Sequence, residues 1–329
     1  MDYRPLGRTH LPVSEIGFGA WGIGGTWGRL DDAEAIRALQ RACERGVNFF
    51  DTAYVYGDGH SEELIGRALG HKRREIILAS KVPPKTFQWP VRPDQPVTQT
   101  FPADWIIQCT ERTLRNLGTD YLDVQQLHAW TDPYNEQLEW YEAFEKLRAQ
   151  GKVHFFGVSA NDWDPYGTVR LVESGRIDSI QVIYNIFEQR PAERLLPAAL
   201  EHNVGIIVRV PFEEGLLTGT LNESTRFEES DWRRDWLSPE RLAEARRRVE
   251  ALRPFLAEDR PTLAALALKF CLAHPAVSTV IPGMRTVRHV EENVAVSDGK
   301  ALPPEVLEAL AQHAFVHGWA YPWSGERSG

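Results

Sequence analysis

The stretch VNFFDTAYVYGDGHSEELIGRALG, residues 47–70, decides the fold. It begins as a short apolar run, passes a carboxylate at Asp51, crosses a glycine-rich loop and ends in an amphipathic helical pattern. A brief apolar strand that feeds a loop and then a helix is one β/α unit, and such a strand is buried on both faces. Two tyrosines, Tyr54 and Tyr56, stand between strand and helix. They are either ordinary aromatic packing in a turn or part of an acid–base site.

The same unit recurs outward from this stretch. EIGFGA precedes DDAEAIRALQRACERG, a helix with acids at its start and Gly46 at its end. EIILASKV precedes PADWIIQCTERTLRNLG, YLDVQQLHA precedes NEQLEWYEAFEKLRAQG, and VHFFGVSA precedes DPYGTVRLVESG. SIQVIYNIF, VGIIVRVPF and VSTVIPG are followed by PAERLLPAALEHN, LAALALKFCLAHP and TVRHVEENVAVSD. About eight such units in a chain of 329 residues predict an α/β fold, a (β/α)8 TIM barrel rather than an open sheet. DYRPLGRTHLPVS reads as an N-terminal β-hairpin around Gly7, and SPERLAEARRRVEALRPFL and PPEVLEALAQHA as extra C-terminal helices. No linker or low-complexity segment divides the chain, so residues 1–329 are expected to form a single domain.

Three segments break the rhythm: residues 83–102, residues 213–237 and the tail that begins FVHGWAYPW. The first two follow strands and would rise as long βα loops at the barrel mouth, where barrel active sites sit. All three carry tryptophan, which favours pocket walls over disorder.

Bulk properties exclude several classes. A net charge of -9 argues against nucleic acid, whose phosphates need a basic face. The three cysteines, Cys43, Cys109 and Cys271, are scattered and form no CxxC pair, as expected of thiols in a reducing compartment. No secretory leader and no apolar run of membrane-spanning length are visible, so the expected location is the cytoplasm, with no membrane partner. The histidines lack metal-ligand spacing, and no metal is expected. GFGAWG, residues 17–22, matches G-x-G-x-x-G, but the helix signal starts only near Asp31. A dinucleotide fingerprint needs the helix to open at the glycines, so this one fails its context.

Ionisable residues end three consecutive strands: Asp51, Lys81 and His128. In a barrel they would converge above the strand ends. A tyrosine ordinarily titrates near ~10, and a neighbouring ammonium lowers that value. An aspartate would hold the ammonium charged and in place. A neutral histidine could donate a hydrogen bond to a carbonyl oxygen. The set describes a general acid for a carbonyl that receives a hydride.

At this point the sequence resembles the aldo-keto reductase superfamily. FFDTAYVYGDGHSEELIG, ILASKV, YLDVQQLH, GKVHFFGVS, IQVIYN, GLLTG and VIPG…VEENV lie in order along nearly the whole chain. The resemblance implies a barrel that uses a nicotinamide dinucleotide without a Rossmann fold. It implies a catalytic tetrad of Asp51, Tyr56, Lys81 and His128, with Tyr56 as proton donor and Lys81 depressing its pKa. Tyr54 is then packing or a pocket wall.

The resemblance also places a cofactor. Ser159, Gln181 and Asn161 would meet the nicotinamide carboxamide, and Tyr184 would stack on the ring. Trp21 and Asp51 would border it. Arg209 would meet the pyrophosphate or a substrate anion, or else pair with Glu213 or Glu214. Backbone around Pro211, Phe212, Gly215 and Leu216 would cradle phosphate oxygens. Gly283, Arg285, His289, Glu292 and Asn293 would hold the adenosine end. A guanidinium at Arg285 suits a 2′-phosphate and favours NADP(H) over NAD(H), while His289 stands where relatives place a basic or amide residue. Trp21, Tyr54, Trp89 and Trp130 are expected against the substrate. The implied activity is reversible NADP(H)-dependent reduction of an aldehyde or ketone. A sugar or cyclitol oxidoreductase and a cofactor-binding regulatory subunit with vestigial catalysis are the alternatives.

Overall fold

The computed structural model describes residues 1–321 apart from positions 26, 29, 163 and 320. The chain opens with an antiparallel hairpin of β1 (Tyr3–Pro5) and β2 (Pro12–Ser14), paired through Arg4 and Val13. Eight parallel strands follow: β3 (Phe18–Gly19), β4 (Phe49–Asp51), β5 (Ile77–Val82), β6 (Leu122–Leu127), β7 (Val153–Ser159), β8 (Ser179–Ile183), β9 (Gly205–Arg209) and β10 (Val277–Val280). Each pairs with the next in sequence order. Two isolated parallel bridges, Ile16 to Val280 and Gly19 to Gly283, join first strand to last and close the barrel. The expected fold is the one observed, hairpin and added helices included.

Alternation along the strands separates two cores. Phe49, Ile77, Ala79, Val124, Ile207 and Ile281 cluster inside the barrel, where Leu6 and Val13 of the hairpin plug the lower end. Phe50, Leu78, Leu127, Phe156, Val158, Ile180 and Val208 face the surrounding helices. Continuing the inward parity from Phe49, Ala79, Val124 and Ile207 by twos reaches Asp51, Lys81, Gln126, His128 and Arg209. The upper rim is therefore polar on the same face that is apolar lower down.

Helices such as Asp32–Glu44, His60–Leu69, Ala103–Leu117 and Leu263–Ala273 form the outer layer. The first and last of these are capped by side chains: Asp31 accepts from Ala33 N, and Thr262 from Ala265 N. Glu62, fully buried, ties the second of them to its neighbours. It accepts from Ser80 Oγ, Thr113 Oγ1 and Asn116 Nδ2, each at 2.8 Å. The bond from Ser80 anchors the residue beside Lys81. The added helices Pro239–Glu250 and Pro304–Ala311 lie where the sequence predicts them. The long segment after β9 holds only a 3-10 turn, Leu216–Thr218, and the short helix Arg233–Trp236.

The closing seam depends on glycine. A Cβ on Gly19 would lie 2.5 Å from the Ile281 carbonyl oxygen, whereas one on Gly283 would meet nothing within 4 Å. Gly19→Ala is expected to destabilise the barrel by about 2 kcal/mol or more, because backbone cannot yield to the methyl group. Gly283→Ala should stay within ~0.5 kcal/mol of the parent. Urea unfolding of both variants checks the contrast.

Candidate active site

Strand ends bring the tetrad together. Lys81, fully buried on β5, directs its ammonium to three acceptors: Asp51 Oδ1 at 2.5 Å, the Thr52 carbonyl at 2.8 Å and the Tyr56 hydroxyl oxygen at 3.2 Å. All three N–H donors of the lysine are thereby engaged. Asp51 Oδ2 accepts from Gln181 Nε2 at 2.8 Å and from Gln126 Nε2 at 3.3 Å. Gln126 has room because β7 offers Gly157 beside it, where a Cβ would lie 2.9 Å from Gln126 Cγ and 2.4 Å from Ser179 Oγ.

The charges follow from this packing. Burial pulls the Lys81 ammonium down, but the charges and hydrogen bonds of Asp51 and Tyr56 outweigh it, and its pKa is raised. The Tyr56 phenol is also raised. Burial dominates there, while the charge and hydrogen bond of Lys81, as expected of that lysine, pull the phenol down. Since its oxygen accepts from Lys81, its hydrogen points elsewhere. Burial, with the positive charges of Lys81 and Arg209, holds His128 well below the usual histidine range, so its ring is neutral. That ring meets Tyr56 edge-on at 5.9 Å and makes no side-chain hydrogen bond among the described residues.

Two of the four residues expected against the substrate lie beside the tetrad. Trp21 stacks on Tyr56 at 6.2 Å, and Trp89 meets His128 edge-on at 5.5 Å while donating from Nε1 to its carbonyl. The other two are corrected. Tyr54 turns outward beneath the Arg112 guanidinium, 4.5 Å from its ring centroid, and burial with Asp58 pushes its phenol up to about 12. Trp130 is completely buried, edge-on to Trp140 and Tyr134, because the chain after His128 folds over the outer helices.

The cofactor set divides likewise. Ser159 ends β7 beside Gln181 in register. Its hydroxyl makes no side-chain hydrogen bond among the described residues, and Gln181 uses only its amide nitrogen. This pair suits a carboxamide. Asn161 is engaged elsewhere: its amide clamps the Val91 peptide, donating to the carbonyl at 3.1 Å and accepting from the N–H at 3.4 Å. Tyr184 is corrected too. Three residues beyond the inward Gln181, it faces outward, 5.3 Å from Phe270 of the helix layer. Arg209 pairs with Asp162 at 2.5 Å and the Ala160 carbonyl at 3.0 Å, not with Glu213 or Glu214.

The turn after β9 is strained. Val210, Glu213 and Glu214 have φ of 54°, 45° and 54°, which is costly for a β-branched valine. Asn185 holds the turn, donating to the Val210 carbonyl at 2.9 Å and to Glu213 Oε2 at 2.6 Å. The N–H groups of Glu213, Gly215 and Leu216 bond to carbonyls within the turn. The expected phosphate cradle is thus reduced to the amides of Phe212 and Glu214. Beyond β10, Gly283 bridges to Gly19, and Arg285 is partly buried and donates to the Gly28 carbonyl at 3.2 Å. Thr286 caps the next helix at the His289 N–H, Asn293 is buried, and Glu292 pairs with Arg288 on the surface at 3.5 Å.

Residues that the sequence reading did not single out complete the picture. They are Gln126, Asp162, Trp27 and Trp232, the last stacked on Trp21 at 5.9 Å. Among the described residues no cluster of three or more His, Cys, Asp or Glu could hold a metal ion, and no helix is long and apolar enough to cross a membrane.

A buried lysine and aspartate meet a half-buried tyrosine and a neutral histidine on the rim of a parallel barrel, and comparison with known proteins gives the family. The profile of the aldo/keto reductase family matches residues 15–314, and the chain belongs to that family of oxidoreductases. It is 32% identical over 316 residues to the uncharacterized oxidoreductase YqkF of Bacillus subtilis, covering 95% of this chain and 96% of that protein. Among solved structures, the holo form of aldo-keto reductase AKR11C1 from Bacillus halodurans superposes with a TM-score of 0.75 at 31% identity, covering 99% of this chain and 100% of that one. An aldo/keto reductase from Klebsiella pneumoniae in complex with NADP and acetate has a TM-score of 0.69 at 25% identity, covering 100% and 98%.

Glu214 supplies a stability test. Burial, then the Glu213 carboxylate beside it, push its carboxyl from 4.5 up to about 8. A raised acid stabilises the fold fully below its unfolded pKa, and that contribution is lost as pH rises through the folded value. The melting temperature should therefore fall between pH 4.5 and about 8 more steeply in the parent than in Glu214→Gln, which carries no titrating proton there. Thermal melts across that range decide it.

Proposed function

We propose that this enzyme reduces an aldehyde or ketone to the alcohol, reversibly, with NADPH preferred to NADH. The observation that carries the reading is the engagement of all three Lys81 donors, which leaves the hydroxyl hydrogen of a still-protonated Tyr56 directed away from the lysine. When bound, a nicotinamide dinucleotide supplies the hydride that the carbonyl carbon receives. Tyr56 then gives its proton to the carbonyl oxygen, and the phenolate that remains is stabilised by the Lys81 ammonium. Asp51, held by Gln181 and Gln126, keeps Lys81 charged and aimed. His128, neutral and half-buried, orients the carbonyl oxygen by hydrogen bonding. Ser159 and Gln181 would hold the carboxamide of the dinucleotide, and Arg285 its 2′-phosphate.

Reduction of 4-nitrobenzaldehyde followed by loss of NADPH absorbance tests the chemistry. Tyr56→Phe should lower kcat by about a thousandfold or more, since general acid catalysis and the charge placement act together. Full turnover by that variant would remove Tyr56 from the mechanism. The cofactor preference rests on Arg285. Its replacement by alanine should raise the KM for NADPH at least about tenfold and leave that for NADH nearly unchanged. An unaltered NADPH/NADH ratio would sink the preference.

A further inference from the structure

The catalytic tyrosine is covered by rings that do not come from the barrel strands. Trp21 stacks on Tyr56, and Trp232 stacks on Trp21 with planes 20° apart. Trp232 belongs to the insertion after β9, whose only helix there has four residues. Such a segment cannot hold an indole in place by its own hydrogen bonds. Trp27 meets that indole edge-on at 6.0 Å, and further support comes from the C-terminal tail. Tyr321, 3% exposed, stacks on Trp236 at 5.4 Å and meets Trp232 edge-on at 5.7 Å. Trp236 lies 5.3 Å from Trp232 and donates from Nε1 to the Trp319 carbonyl at 3.3 Å.

The tail is itself fastened to the barrel rim. His317 Nε2 lies 2.9 Å from Glu213 Oε1, with the two side chains 4% and 5% exposed. The other Glu213 oxygen is held by Asn185, just past β8. Phe315 N donates to the Phe187 carbonyl at 2.8 Å. A carboxylate buried this deeply needs its partners, so the contact is a fastening rather than a surface ion pair.

We propose that residues 315–319 and Tyr321 form a clasp, fastened through His317 to Glu213, that positions Trp232 as the outer wall of the substrate site and so selects carbonyl compounds bearing a planar apolar ring. His317 is a positioning residue here: it touches none of the tetrad. The inference rests on the carbonyl-reductase reading for its substrate, but not for the clasp itself.

The full-length chain is tested with 4-nitrobenzaldehyde and with glyceraldehyde, a small polar aldehyde that has no ring to stack. His317→Ala is expected to raise KM for nitrobenzaldehyde about tenfold while kcat stays within about threefold and the KM for glyceraldehyde changes less than about twofold. His317→Gln, which retains an N–H for Glu213, should recover most of the loss. Trp232→Ala should raise the same KM, and adding His317→Ala to it should cost less than about twofold more, because both act on one wall. Independent, multiplying effects, or an unchanged KM, would overturn the proposal. Near-ultraviolet circular dichroism separates its failure from failure of the functional reading. Loss of the coupled-indole signal in His317→Ala supports the clasp even if the parent turns over no carbonyl, and retention of that signal refutes it.

Discussion

A lysine ammonium with no exposure to water governs this molecule. Lys81 can stay charged only because Asp51, the Thr52 carbonyl and the Tyr56 oxygen each take one of its protons. Each acceptor imposes a demand on the fold. Asp51 must end a neighbouring strand with inward parity, so β4 and β5 must be adjacent, parallel and in register. Tyr56 must come back over the rim, so the loop after β4 must turn sharply. Removing either charge of a buried pair costs about 3–5 kcal/mol. The same contacts therefore hold the fold together and gather the candidate site.

Around that pair the barrel separates two tasks. Its lower interior is a plain apolar core stoppered by the hairpin. Its upper rim is a ring of polar groups that lean on one another: Gln126 and Gln181 on Asp51, Asp51 on Lys81, Lys81 on Tyr56. Burial holds the His128 ring uncharged and raises the phenol of Tyr56.

How much of this was legible depended on periodicity. Asp51, Lys81 and His128 could be read because each ends an apolar run of period two, and the eightfold recurrence of such runs implied the barrel. Gln126 stood two residues before His128 on the same face, and parity alone would have found it. Parity would also have turned Tyr184 away, since it lies an odd number of residues from Gln181; matching the motif letter by letter hid that. Asn161, Trp232 and Tyr321 were not legible in their roles. Asn161 answers to a peptide 70 residues earlier, and the insertion and tail have no period from which contacts can be counted. Tyr54 and Trp130 misled for a simpler reason: loop aromatics beside a site fold inward or outward according to helices that do not border them in sequence.

The seam between β3 and β10 bears on how the protein is made. Its two bridges link residues 16 and 19 to residues 280 and 283, so the ring cannot shut until nearly the whole chain exists. During synthesis, residues near the N-terminus must wait as an open sheet edge while each later strand adds to the growing sheet. The loop to be closed spans most of the polypeptide, which places this contact among the slowest to form. A nascent chain stalled short of residue 277 would present two unpaired edges of an otherwise native sheet to its neighbours.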